Sequence, residues 1–164
     1  MAEDQTSAAN APAGAQALPR QRVLELVRQL LDDGLSVRLE VTGSSMSPFV
    51  RGGDVVTLAP PGEGPIRRGE VVAVLARRHW LVIHRVVAAS PAGLETRGDA
   101  LDRPDEGVSR SDVVARLRRV ERRGRRIRLG LGPERRVLAW LSRRGWLVPW
   151  LRPWRLLRRM GTNR

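Results

Sequence analysis

At 164 residues the chain has room for one domain with a hydrophobic core, and not for two of ordinary size. All 30 basic residues are Arg, and the sequence has no Lys, Cys or Tyr, which excludes disulfides, thiol nucleophiles, thiolate metal sites and lysine-based catalysis. The net charge of +13 is unevenly placed: residues 1–115 carry 13 Arg against 15 Asp and Glu, whereas residues 116–164 carry 17 Arg against 2 Glu.

Residues 1–18 begin Met1-Ala2-Glu3-Asp4 and continue in Ala, Pro and Gly, the opposite of a basic stretch followed by an apolar one. No secretory signal is expected there, and the segment has too few bulky apolar residues to fold by itself. From Pro19 the pattern changes. Val23, Leu24, Val27, Leu30 and Leu31 recur at helical spacing and Gly34 follows, which predicts a short amphipathic helix. Arg20, Arg22, Glu25, Arg28, Asp32 and Asp33 keep this helix from crossing a membrane.

Short β-branched runs then predict strands over 37–41, 55–58, 71–75, 80–87, 93–96 and 113–120, separated by Gly-Gly-Asp, Pro-Pro-Gly and Ser-Pro-Ala-Gly turns. The expected fold class is mainly β, a barrel or sandwich, since a Rossmann-like arrangement would need helices between the strands. Helix returns after Gly132-Pro133 and is broken at Gly145, Pro149 and Pro153. The expected organisation is an unstructured 1–18, a domain over 19–131, and a basic helical tail over 132–164 that carries Trp140, Trp146, Trp150 and Trp154 among its arginines.

Three segments could carry chemistry. Gly43-Ser44-Ser45-Met46-Ser47-Pro48 follows a predicted strand and can present a hydroxyl on a turn, or be a plain turn. His84 shares a strand face with Val82 and Val86, where a histidine is commonly a satisfied core residue. His79 reads as exposed and without a role. Gly98-Asp99-Ala100-Leu101-Asp102-Arg103-Pro104-Asp105 is an acidic turn, in which Asp serves equally well as a cap. With these ligands a metal site is not expected, and no phosphate-cradling loop or cofactor motif is present.

In order, Gly-Ser-Ser-Met-Ser-Pro, Arg51-Gly52-Gly53-Asp54-Val55-Val56, Arg68-Gly69-Glu70-Val71-Val72, His84-Arg85-Val86-Val87, Thr96-Arg97-Gly98-Asp99-Ala100 and Pro104-Asp105 resemble the signal peptidase I family over roughly residues 37–120. The resemblance implies the β-barrel-like fold shared by signal peptidases and LexA-type repressors. It also implies a serine endopeptidase that cleaves a precursor or leader peptide. The serine before Met is the family's nucleophile, which is Ser45 here. One branch uses Lys as general base and another has His-Arg-Val at that place, matching His84-Arg85-Val86. The acid of the His branch falls on Asp105, in preference to Asp99 and Asp102, with Asp99 as a supporting group. Imidazole suits the task, because a serine hydroxyl needs a base poised near the working pH.

The resemblance breaks at two points. Gly43 stands where several members place a serine hydroxyl for the oxyanion, leaving backbone N–H groups to that role. The usual membrane-spanning segment before the serine has no counterpart, so the expected location is the cytoplasm. The Trp/Arg tail then has two readings, an anchor at the inner face of the membrane or a helix packed on the β domain with a solvated Arg face. The expected partner is a peptide or protein substrate. The alternatives are a catalytically weak relative acting as a binding protein, and a nucleic-acid binder using the Arg tail. A LexA-type repressor is disfavoured, because it needs a Lys base and a helix-turn-helix domain that one helix cannot supply.

Overall fold

A computed structural model of the chain describes residues 20–76, 80–105 and 107–146. The expectations for residues 1–18, for His79 and for the tail beyond Trp146 lie outside the described residues. Helix α1 (Arg20–Asp32) leads into β1 (Val37–Glu40), β2 (Val55–Ala59), β3 (Val71–Ala76), β4 (Trp80–Ser90), β5 (Gly93–Arg97), β6 (Val113–Arg122), β7 (Arg125–Ile127) and helix α2 (Arg135–Arg143). Among the described residues, the seven strands form one antiparallel sheet in the order β1-β2-β6-β3-β4-β5, with β7 on β6. The fold is therefore mainly β with two helices.

Strand β6 is long because it serves two sets of partners. It pairs with β2 over Arg116 to Glu121, while its opposite edge takes β3 near Val113 to Arg116 and β7 near Val120 to Arg122. Strand β3 reads Val-Val-Ala-Val-Leu-Ala without alternation, and both of its sides are covered. Val71 and Ala73 join one core with Val56, Leu58, Ala115 and Val120, while Val72 and Val74 join a second with Val86, Leu94 and Val113.

Helix α1 covers the first core with Val27 and Leu31. Val23, expected on its apolar face, is exposed, so the buried seam is narrower than the periodicity implied. Helix α2 packs on the β domain through Leu138 and Leu141, which close over Phe49, and through the buried Ala139 and Ser142. Arg97 of β5 is nearly buried and donates to Ser142 O at 2.6 Å, to Leu101 O at 2.9 Å and to Asp102 O at 2.5 Å. This guanidinium ties the last turn of α2 to the acidic loop after β5, and a cation is favoured at a helix C-terminus. Among the described residues, no helix is long and apolar enough to cross a membrane.

Candidate active site

Ser45 lies in the turn after β1, and its position is fixed by its neighbours. Met46 and Val50 are buried in the first core and Phe49 lies under α2, while Phe49 N–H and Val50 N–H both donate to Met46 O at 3.1 Å. The far end of this loop is held by Asp54, which is 1% exposed. Its carboxylate accepts Arg51 N–H at 2.8 Å and both Nε and Nη2 of Arg122, each at 2.8 Å. Burial pushes the Asp54 carboxyl up, but the hydrogen bonds from Arg122 and Arg51 outweigh it and hold the group below its ordinary range.

His84 sits on β4 opposite Val72 of β3, on the face that also carries Val82 and Val86. It is 4% exposed and satisfied at both ring nitrogens. Nδ1 lies 2.6 Å from Asp105 Oδ2, and Nε2 lies 3.2 Å from Ser45 Oγ. An ionised carboxylate only accepts, so Nδ1 carries the proton and Nε2 turns its lone pair to the serine hydroxyl. Ser45 is the serine that meets the imidazole; Ser44 and Ser47 make no side-chain hydrogen bond among the described residues.

Asp105 is aimed by Thr96 of β5. The Thr96 hydroxyl donates to Asp105 Oδ2 at 2.6 Å, and Asp105 N–H donates to Thr96 O at 2.8 Å. Sequence reasoning passed over Thr96. Strand pairing supplies the signal, since Thr96 faces Val86 across the ladder, two positions along β4 from His84 and on the same face.

Asp99 is placed differently from Asp105. Its carboxylate makes no hydrogen bond to Ser45 or His84, and instead both of its oxygens take Arg85, from Nε at 2.8 Å and from Nη2 at 2.7 Å. Both side chains are completely buried. Arg85 Nη1 donates to Gly69 O at 3.1 Å and Gly130 O at 2.8 Å, so the guanidinium finds acceptors on every side. The Asp99 loop is also joined to the serine turn, since Ala100 N–H donates to Ser45 O at 2.7 Å. A Cβ on Gly98 would come within 2.7 Å of that same oxygen, so only glycine allows the two loops to touch. Asp102 is exposed, and its side chain makes no hydrogen bond or ion pair among the described residues.

Beside Ser45 runs a groove of about 260 Å³, lined by Leu39, Val41, Gly43, Met46, Leu81 and Ile83 among others. Its walls are two strand edges with no partner among the described residues. Strand β1 pairs only with β2, and β4 pairs with β5 only from Arg85 onward, leaving Trp80 to His84 open on that side. Ser45 N–H donates to nothing among the described residues. A Cβ on Gly43 would meet nothing within 4 Å.

No family model matches this chain, and no curated protein matches it.

Proposed function

We propose that the chain is a serine endopeptidase of the signal peptidase I type, with a barrel-like catalytic domain, in which Ser45 is the nucleophile, His84 the general base and Asp105 the group that orients it. The observation that carries this reading is the unbroken hydrogen-bonded line from Ser45 Oγ through both nitrogens of His84 to Asp105. Three side chains from distant parts of the sequence meet there in the order nucleophilic catalysis needs.

In the proposed reaction a peptide lies extended in the groove, hydrogen-bonded to the open edges of β1 and β4. Ser45 Oγ attacks a carbonyl carbon while His84 Nε2 takes its proton. The oxyanion is met by Ser45 N–H, and Asp105 stabilises the imidazolium. The C–N bond then breaks as His84 returns the proton to the leaving amine. Water adds to the acyl-Ser45 ester by the same route in reverse, releasing the acid. With Gly43 supplying no hydroxyl, the oxyanion has one donor fewer than in relatives that carry serine there, which points to slow turnover.

The reading is tested with a serine-reactive acylating probe on wild type, Ser45→Ala and His84→Ala. Wild type is expected to be labelled at Ser45, with labelling lost in Ser45→Ala and strongly slowed in His84→Ala. Equal labelling of Ser45→Ala overturns it.

A further inference from the structure

Five alanines, Ala9, Ala11, Ala13, Ala15 and Ala17, stand at alternate positions of the sequence, separated by Asn10, Pro12, Gly14 and Gln16. In an extended chain such spacing puts every methyl on one face and the polar or small intervening groups on the other. No charge occurs between Gln5 and Pro19, so nothing costly has to be desolvated when this segment is buried.

The groove beside Ser45 has the complementary character. Its lining is mostly apolar, with Leu39, Met46, Val50, Leu81 and Ile83 beside Glu40 and Thr42, and its volume of about 260 Å³ is below that of a pocket for bulky groups. Its two strand edges, which have no partner among the described residues, offer main-chain hydrogen bonds to one more strand. A nine-residue stretch extends about 30 Å, enough to run along the open Trp80 to His84 edge and past Ser45. Pro12 has no N–H for a ladder, so it stands as the first residue of the docked strand, with residues 13–17 paired to both edges.

We infer that residues 9–17 of this same chain are a substrate of its own site, docking in the groove with the alanine methyls down and being cut after Ala13, Ala15 or Ala17. The inference rests on the peptidase reading above and names a substrate for it. The step consumes one water: an Ala carbonyl passes through the Ser45 ester, the C–N bond to Gly14, Gln16 or Leu18 breaks, and the leaving amine takes its proton from His84.

Intact-mass measurement of the purified full chain during incubation tests this. Wild type is expected to lose residues 1–13, 1–15 or 1–17, while Ser45→Ala keeps its full mass. The variant Ala13→Arg/Ala15→Arg/Ala17→Arg is expected to stay whole while Ser45 still reacts with the acylating probe. A wild-type chain that stays whole yet is labelled at Ser45 overturns self-cleavage and leaves the peptidase reading standing. One that stays whole and is not labelled sinks both. The same truncation in Ser45→Ala assigns the cut to another protease and overturns the inference.

Discussion

Strand β4 divides in the middle, and its two halves have different duties. Among the described residues, from Trp80 to His84 it pairs only with β3 and leaves an edge open to the groove, whereas from Arg85 onward it is paired on both sides. His84 and Arg85 are adjacent in sequence and both buried, yet they point to opposite faces. His84 makes the last polar contact before the cleft, and Arg85 is sealed inside with Asp99 and two carbonyls. The proposed general base stands where strand pairing stops among the described residues, and the residue behind it is a rivet.

The largest expected effect that would break this division is on turnover. His84→Ala is expected to reduce peptidase activity by about 10⁴-fold or more, while a melting curve shows the fold retained. If activity survives, the functional half of the comparison fails.

Arg85→Met should do the opposite, acting on stability first. It leaves Asp99 buried without a countercharge, which costs about 3–5 kcal/mol, and a urea titration reads this directly. Asp99→Asn should fall in the same range. The double variant Arg85→Met/Asp99→Leu removes both charges and should recover much of the loss, and a double variant as unstable as the singles would refute the pairing.

Gly43→Ser sharpens the functional half. The site has open space for the side chain, and an added oxyanion donor should raise kcat by roughly tenfold to a hundredfold with little change in KM. Thr96→Val removes one donor from Asp105 and leaves a buried methyl in its place. It should lower kcat by about tenfold, the worth of one hydrogen bond of about 1–1.5 kcal/mol, and Thr96→Ser should restore most of it.

The smallest effect belongs to Asp54. Its folded carboxyl titrates below the unfolded one, so the Arg122 and Arg51 contacts stabilise the fold above the ordinary carboxylate range of about pH 4. That contribution is lost as pH falls through the lowered value. Wild type should therefore lose melting temperature between pH 5 and pH 2, and Asp54→Asn should show a flatter profile from a lower plateau.

The sheet was legible where one physical rule acted alone. The strands at 71–75 and 113–120 announce themselves through β-branched runs and extend by one or two residues in the structure, to Ala76 and Arg122. Strand β7 was missed because Arg125-Arg126-Ile127 has no alternation, and its partner Glu121-Arg122 supplies the pairing instead. Arg85 gave a signal that went unused, a lone charge within the apolar run 81–89 that had to find a buried partner. The meeting of Ser45, His84 and Asp105 could not be read from local pattern at all, since long-range ladder pairing brings them together. The family resemblance supplied those names, and spacing alone left each with an ordinary structural reading.

Arg97 has a consequence for how the chain can be shortened. Among the described residues its guanidinium is satisfied only by main-chain oxygens, one of which belongs to α2, and Phe49 beside the serine turn is roofed by the same helix. Ending the polypeptide at 131 would strip both at once, loosening the loop that carries Asp105 and uncovering the turn that carries Ser45. The first part of the C-terminal region thus behaves as a keystone for the loops that carry Ser45 and Asp105, and pruning experiments there must begin beyond Trp146.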